Sequence, residues 1–153
     1  MPNNNPTFLT ITGPADDLQQ FMSDVLSDEK ALEFEKVYPI PQGADWYSWC
    51  CHHWGTKWGA YDVEDWIRIS DSMWTLFYYT AWSPANAFYL HISTRYPDIV
   101  FKQEFADEGG NYVGFNTIQD GKMINETWMD WESDEGKALR MKLREYHDDD
   151  EED

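Results

Sequence analysis

The stretch that decides the fold is Met73–Trp82, which reads MWTLFYYTAW. Aromatic and β-branched residues occupy both alternating sides of this run, and such a composition is typical of a β-strand. A strand that is apolar on both sides must be covered on both sides, so we predict that it lies in the centre of a sheet.

The segments before this strand predict further strands and one helix. A helix is indicated by an apolar stripe that repeats at helical spacing after Pro14. The segment nearest the central strand alternates, and we expect Ile67 and Ile69 to face the core with Trp66 and Arg68 opposite. The predicted elements are a strand at Thr7–Thr12, a helix over 14–27, a weak strand at Leu32–Tyr38, a helical or irregular segment at Tyr47–His53, and a strand at Asp65–Ser70.

The segments after the central strand continue the alternation of helix and strand. Ser83 and Pro84 combine a helix cap with proline at the first helical position, so a helix is predicted to start there and to stop at Pro97. Asp120-Gly121 is a typical hairpin turn. The predicted elements are a strand at Ile99–Phe105, a hairpin of Tyr112–Ile118 with Lys122–Trp128, and a last helix at Ser133–Tyr146.

This order predicts the fold class and the domain organisation. Two split β-α-β halves on one antiparallel sheet form the ferredoxin-like arrangement of an α+β domain, and an α+β sandwich with another strand order is the alternative. We predict a single α+β domain over residues 1–131, with a tryptophan-rich insert at 43–62, and a C-terminal helix over 132–147. The acidic block Asp148–Asp153 is expected to be a disordered tail, because like charges resist collapse.

The charge balance excludes several classes of partner. The chain has 29 acidic and 11 basic residues and a net charge of −18. Phosphate contacts need lysine and arginine, so we expect neither direct binding to nucleic acid nor adhesion to an anionic membrane. No apolar run is long enough for a membrane span, and the polar start MPNNNPTF does not resemble a signal peptide.

The two cysteines indicate the cellular location. Adjacent cysteines rarely bridge each other, so Cys50 and Cys51 favour a reduced, cytoplasmic location in the host cell.

The segment Asp45–Asp62, DWYSWCCHHWGTKWGAYD, holds four of the nine tryptophans and both cysteines. Its end, with Trp54–Trp58, Ala60 and Asp62, resembles the WGTKW-x-A-x-D motif of the YubB-like family of phage and plasmid proteins. Thr12-Gly13 and Ala81–Pro84 also match that family's pattern, in the same order, so the resemblance spans roughly residues 1–118. The family's opening MPNWC is kept only as Met1–Asn3, with Asn4-Asn5 in place of Trp-Cys. The resemblance implies a ferredoxin-like domain and a mobile-element origin, and it implies no activity.

The run Cys50-Cys51-His52-His53 has the residue types of a metal site or a nucleophilic centre. Four consecutive side chains point in different directions, whereas zinc ligands must converge, so we predict no metal, no cofactor and no catalytic residues. His91 and His147 would have to complete any such site. The alternative hypothesis is an enzyme or small-ligand-binding protein that uses a cleft formed by Cys51, His52, His53 and Trp54.

The tryptophans of the insert have a structural and a functional interpretation. We predict that Trp54, Lys57, Trp58, Asp62 and Trp82 form an aromatic brace that ties the insert to the sheet, and the alternative is an aromatic pocket. Lys57 is expected either to stack on indole or to pair with the carboxylate of Asp62.

The acidic residues predict the kind of partner. We expect binding to a host protein with a basic, nucleic-acid-binding surface, and inhibition of a defence protein of the anti-CRISPR or anti-restriction type. Imitation of DNA is the sharpest version of this hypothesis, since duplex DNA also presents a dense row of negative charge. An accessory protein without an inhibitory role is a further alternative. The candidate partner-binding residues all lie in the first forty positions: Asp16, Asp17, Asp24, Asp28, Glu29, Glu33 and Glu35.

Overall fold

The computed structural model describes the backbone of residues 3–152 and the side chains of residues 3–146. Twelve elements occupy this part of the chain, and they follow one another in the order in which they are numbered here. They are β1 (Asn4–Thr12), α1 (Ala15–Val25), α2 (Phe34–Val37), α3 (Trp46–His53), β2 (Ile67–Ser70), β3 (Met73–Ala81), α4 (Asn86–Ile92), a 3₁₀ turn (Ser93–Arg95), β4 (Val100–Ala106), β5 (Val113–Gln119), β6 (Lys122–Met129) and α5 (Asp134–Glu152).

The described strands form one six-stranded sheet in the order β2-β3-β1-β4-β5-β6, and every neighbouring pair is antiparallel. The longest pairing joins β1 to β3, from Asn4 opposite Ala81 to Thr12 opposite Met73. The order β2-β3-β1-β4, with a helix in each crossover, is the ferredoxin-like arrangement, and the β5–β6 hairpin extends the sheet beyond β4. The predicted α+β ferredoxin-like fold is therefore confirmed, and β3 lies inside the sheet between β2 and β1, one strand away from its edge.

Alternating side chains of the central strands feed two separate cores. On one side, Leu9 and Tyr78 pack with Phe21 of α1 and Phe88 of α4, and all four are buried completely. On the other side, Phe77 packs in a second core with buried leucines of α5. The sheet is covered on both faces, which explains why β3 is apolar on both of its sides.

The prediction of a strand at Leu32–Tyr38 is wrong. This segment contains the short helix α2 instead, and the segment buries Leu32 together with Phe34 and Val37 of the helix. Phe34 and Val37 are three positions apart, so one helical turn places both against the core. The alternation of Leu32 and Phe34 with glutamates resembled a strand, because a segment this short does not distinguish the two-residue period of a strand from the 3.6-residue period of a helix.

The orientation predicted for β2 is also wrong. Ile67 and Ile69 are 50% and 56% exposed, whereas Trp66 packs against the core. The Trp66 indole N–H donates to the Ala31 carbonyl oxygen over 3.2 Å, and its ring meets the edge of Phe21. A tryptophan buries more apolar area than an isoleucine, so Trp66 takes the inward position at this edge of the sheet.

The last helix, α5, is longer than the predicted segment Ser133–Tyr146, because its backbone continues to Glu152. The side chains after Tyr146, and Asp153 altogether, lie outside the described residues, so the disorder expected for Asp148–Asp153 stays a prediction. Within the described residues, no helix combines the length and the apolar character that crossing a membrane requires.

Candidate functional site

The insert is anchored to the domain at Gly55. This glycine ends α3 in the left-handed conformation, with φ of 81°, and its N–H donates to the Cys50 carbonyl oxygen over 3.1 Å. The Ser83 hydroxyl donates to the Gly55 carbonyl oxygen. A side chain at this position would approach the backbone of Ala87. The loop is thereby fixed against the start of α4, and it carries Lys57 and Trp58 to the surface.

Trp54 belongs to the core. Its side chain is 3% exposed, and its indole N–H donates to the Tyr38 carbonyl oxygen over 3.0 Å. The ring meets Phe34 and Trp49 edge-on, with centroids 5.4 Å and 5.5 Å away. Trp54 therefore joins the insert to α2 and does not line a surface cleft.

A surface cluster surrounds Lys57. The ammonium nitrogen lies 5.0 Å from the ring centroid of Trp58, 5.1 Å from that of Trp82 and 5.6 Å from that of Tyr47. At these distances the ring faces attract the charge. The three rings are 37% to 41% exposed. We call Tyr47, Lys57, Trp58 and Trp82 the Lys57 cluster; Tyr47 was not among the residues predicted from sequence, although the aromatic composition of the insert pointed to it.

The expected pairing of Asp62 with Lys57 is not formed, since no ion pair within the described residues joins these two side chains. The Asp62 charge acts on Tyr61, whose ring lies 6.4 Å from that of Trp58. Burial, followed by the charges of Asp62 and Glu108, raises the pKa of Tyr61 to about 12. We call Asp62 and Glu108 the acidic rim, because both charges act on Tyr61, which is the neighbour of Trp58 of the cluster.

The backbone at Trp82 is held in a rare conformation. Its φ of 77° lies in the left-handed region, which costs a non-glycine residue roughly 1–2 kcal/mol. The Trp82 N–H donates to the Asn3 carbonyl oxygen over 2.9 Å, and its carbonyl oxygen accepts a hydrogen bond from the Tyr112 hydroxyl over 2.8 Å. Backbone strain of this kind concentrates at functional sites, and here it positions an exposed ring over Lys57.

The seven predicted acidic residues do not all share one environment. Asp17 and Asp24 line an open groove of about 720 Å³ together with two cations, Lys36 and Arg95. Asp24 accepts hydrogen bonds from the Tyr96 hydroxyl over 2.6 Å and from the Gln20 amide over 2.8 Å. The exposed members are Asp16, Asp28, Glu29 and Glu35, and the half-buried members are Asp17, Asp24 and Glu33.

Basic residues interrupt this acidic surface. The Lys30 ammonium lies 3.4 Å from a Glu33 carboxylate oxygen and donates to the Ala60 carbonyl oxygen over 2.6 Å. Arg95 donates to the Val37 carbonyl oxygen over 2.6 Å at the edge of the groove. The acidic set is therefore a surface of mixed charge in which the exposed carboxylates predominate, and it is not an unbroken row.

The cysteine and histidine run is divided between the core and the surface. Cys50 is 1% exposed, and burial, with smaller contributions from Cys51 and Glu35, raises the pKa of its thiol to about 11. The His53 ring lies against Trp49, with Nδ1 3.1 Å from the Trp49 carbonyl oxygen. These groups are thus engaged in packing and backbone contacts.

His91 lies on α4, away from the cysteines in sequence. Its ring stacks on Tyr38 with centroids 3.7 Å apart, and burial, Arg95 and His53 lower its pKa. The side chain of His147 lies outside the described residues. In the part of the chain whose side chains are described, no group of three or more histidine, cysteine, aspartate or glutamate side chains is arranged to hold a metal ion.

The strand order and the helix positions place this protein in the class of ferredoxin-like α+β domains. It belongs to the family described as "Ferredoxin-like domain in Api92-like protein", whose model matches residues 53–152. The solved structure of the protein Api92 from Yersinia pseudotuberculosis is similar, with a TM-score of 0.53 and 10% identity, over 63% of this chain and 39% of that one. At this identity the likeness shows the fold alone. No curated protein matches the chain.

Proposed function

We propose that this protein is a small acidic phage- or plasmid-borne inhibitor that binds a host nucleic-acid-binding defence protein of the anti-CRISPR or anti-restriction type. It acts by covering the basic surface of that partner, and not by catalysis. The observation that supports the proposal is the Lys57 cluster, an exposed aromatic surface with an acidic rim on a chain of net charge −18. The phage or plasmid origin rests on the resemblance to the YubB-like family.

The Lys57 cluster has the composition of the centre of a protein interface. Tryptophan and tyrosine are enriched among the residues that contribute most to binding, and they do so where they become fully desolvated. Trp58 and Trp82 are already ordered by loop contacts and backbone hydrogen bonds, so little conformational entropy is lost when they are covered. Trp46, 49% exposed beside Tyr47, enlarges the same surface.

The cluster also indicates which side chains the partner presents. Lys57 shows that a cation is stable over the rings of Trp58 and Trp82. An arginine or lysine of the partner can stack on the part of these two rings that Lys57 leaves exposed, while the carboxylates of Asp62 and Glu108 attract its remaining charge. Nucleic-acid-binding surfaces are rich in these two residue types.

The exposed carboxylates act at longer range. Asp28, Glu29 and Glu35 are exposed and add to the field that attracts a basic surface, which raises the association rate more than the final affinity. Because Lys30 and Lys36 interrupt this surface, the carboxylates steer the partner and the aromatic cluster provides the close contact. In this form of DNA mimicry the charge is imitated, while the regular spacing of phosphates is not.

The test is capture of the partner from a host lysate at low salt, with the protein immobilised. We expect a nucleic-acid-binding protein that is released both by raised salt and by duplex DNA, because these compete for the same basic surface. The purified partner should then lose its binding to nucleic acid when the inhibitor is added in equal amount.

Two variants test whether capture of the partner depends on the Lys57 cluster. Trp58→Ala should reduce it strongly, whereas Ile124→Ala should leave it unchanged, because Ile124 is an exposed apolar residue, at 56%, but lies on β6 outside the cluster. The proposal fails if the captured protein is indifferent to salt and DNA, or if the two variants behave alike.

A further inference from the structure

Three aromatic rings surround the Lys57 ammonium. The rings of Tyr47 and Trp82 are nearly perpendicular, at 78°, with centroids 5.9 Å apart, and Trp58 adds a third ring. The nitrogen lies 5.0 Å, 5.1 Å and 5.6 Å from the centroids of Trp58, Trp82 and Tyr47. Several rings around one cation form an aromatic cage, a kind of site that recognises quaternary ammonium groups. We call these three rings the aromatic cage.

The rings of the cage are positioned by the fold. The Thr56 hydroxyl, on a side chain that is 1% exposed, donates to the Trp58 carbonyl oxygen over 2.5 Å. Trp82 is held by the hydrogen bonds of its backbone to Asn3 and Tyr112. All three rings remain 37% to 41% exposed. The cage is therefore formed before a ligand arrives and is open to it, so little conformational entropy is lost on binding.

The rings alone hold the Lys57 ammonium. Within the described part of the chain, no ion pair or side-chain hydrogen bond engages it. A lysine ammonium is a compact and strongly hydrated charge on a flexible stem, so it can leave the cage for water at little cost. Lys57 is thus an internal occupant that another cation can displace.

The distances in the cage suit a methylated nitrogen. A C–N bond is about 1.5 Å long, so a methyl carbon directed from the Lys57 nitrogen position towards one of the rings would lie about 3.5–4 Å from it. This is the ordinary distance of a carbon–carbon contact. A trimethylammonium group carries three methyls, one for each ring of the cage.

The charge of the chain also favours a cation at this surface. The net charge is −18, and the acidic rim of Asp62 and Glu108 acts on Tyr61 beside Trp58. We propose that the aromatic cage binds a trimethylammonium group, which displaces the Lys57 ammonium. The group is found both in small molecules such as choline and in trimethylated lysine side chains. The cage is part of the surface on which the proposed function rests, but this binding requires no host protein.

The experiment is a titration of the full chain with choline chloride, which replaces sodium chloride at constant ionic strength. NMR follows the indole N–H signals of Trp58 and Trp82 and the methyl protons of choline. We expect saturable shifts of the indole signals and an upfield shift of the choline methyls, because they lie over ring faces. The control is 3,3-dimethylbutanol, which has the shape of choline without its charge and should bind at least about tenfold more weakly.

Matched variants test the roles of the lysine and of the rings. Lys57→Gln should bind choline about five- to tenfold more tightly, because no internal cation competes for the cage. Lys122→Gln removes the same charge from an exposed position on β6 and is the control. Trp58→Leu should abolish the upfield shift, whereas Trp58→Phe keeps a ring face and should retain part of it. Thermal unfolding shows which variants are folded, and the comparison of the two lysine variants does not depend on Trp58→Leu.

A second titration distinguishes the two sources of the group. Tighter binding of N-acetyl-trimethyllysine amide than of choline assigns a trimethylated polypeptide as the ligand, and equal or weaker binding assigns a small molecule.

Three results would overturn the proposal: no saturable shift with choline, equal binding of 3,3-dimethylbutanol, or a Lys57→Gln variant that binds choline no more tightly than Lys122→Gln. Each would leave Lys57 as the permanent occupant of the cage. The titrations use the purified chain alone, whereas the proposed function is tested by capture from a lysate with salt and DNA, so a failure of one is distinguished from a failure of the other.

Discussion

The Tyr112 hydroxyl lies 2.8 Å from the Trp82 carbonyl oxygen and 2.7 Å from Oδ1 of the buried Asn5. One phenol thus ties the residue before β5 to the end of β3 and to the start of β1. The contact helps to hold Trp82 at a φ of 77° and its ring beside Lys57. The geometry of the exposed cluster therefore depends on a hydrogen bond inside the sheet.

Replacing this phenol should weaken the fold. Tyr112→Phe removes the hydroxyl that faces Asn5 Oδ1, a side chain with no exposed surface, so we expect the free energy of unfolding to fall by about 1–3 kcal/mol. Tyr47→Phe removes an exposed hydroxyl and should change it by less than about 0.5 kcal/mol. Urea unfolding of both variants provides the measurement, and equal effects would contradict the role of Tyr112.

The backbone strain at Trp82 can be measured by comparing two substitutions. Trp82→Gly should be more stable than Trp82→Ala by about 1 kcal/mol, because glycine adopts the left-handed conformation without steric cost. Both remove the ring from Lys57, so both should weaken partner capture equally. A Trp82→Ala variant as stable as Trp82→Gly would show that the observed φ is not maintained in solution.

Gly114 permits a ring contact across three strands. It lies opposite Phe105 in β4 and opposite Trp128 in β6, and these two rings meet over it with centroids 5.3 Å apart. In Gly114→Ala the added Cβ would lie 2.3 Å from the Thr127 carbonyl oxygen, so we expect a loss of about 1–3 kcal/mol. Gly59→Ala, whose Cβ meets only ordinary contacts, is the control in the same urea assay; if the two cost the same, the steric argument is wrong.

The two cysteines should differ in reactivity. Cys50 is buried and the pKa of its thiol is raised to about 11, so at neutral pH a disulfide reagent should modify Cys51 first and Cys50 only after local opening. Rates measured on Cys50→Ser and Cys51→Ser assign each thiol. Fast modification of Cys50 in the folded protein would contradict its position in the core.

The Cys50 thiol should also make the free energy of unfolding fall at alkaline pH. Because the pKa of Cys50 rises from 9.0 to about 11 on folding, the folded protein holds this proton more tightly than the unfolded chain. Its contribution is complete below about pH 9 and is lost as the pH rises through about 11. Urea midpoints measured across this range should fall, and less steeply in Cys50→Ala. An equal slope in that variant would assign the loss to the tyrosines, of which Tyr61 has a pKa raised to about 12.

Charge reversal tests the steering role of the exposed acids. Changing Asp28, Glu29 and Glu35 to lysine should slow association with the captured partner and flatten its salt dependence, with a smaller effect on dissociation. The control reverses the same number of exposed charges elsewhere, at Glu126, Glu135 and Glu145. Stopped-flow association rates at several salt concentrations distinguish the two triplets, and identical rates would leave only the net charge as an explanation.

Local patterns predicted most of the fold. The two-sided apolar run at Met73–Trp82 identified the inner strand β3, and the sequence of strands and helices led to the ferredoxin-like order. The errors occurred where local alternation competed with packing. At β2 the alternation favoured burial of Ile67, yet the larger Trp66 took the inward position, a choice that depends on the neighbouring helix α1.

The candidate sites were less predictable. Composition identified the insert, but it did not distinguish Trp54 in the core from Trp58 on the surface, because both belong to the same short motif, WGTKW. Tyr47 was missed, because its place beside Lys57 and Trp82 depends on contacts between α3, the loop at Gly55 and the end of β3.

By itself, the sequence predicted all six strands of the sheet, with one strand too many at Leu32–Tyr38, and it determined the aromatic insert and the strong negative charge. Periodicity and composition act over a few neighbouring residues, which is why these features could be predicted. Only the tertiary structure decided which rings are exposed around Lys57 and which hydrogen bonds hold Trp82 beside it. Burial and hydrogen-bond satisfaction are properties of groups far apart in the chain, so they arise when the layers pack and not before.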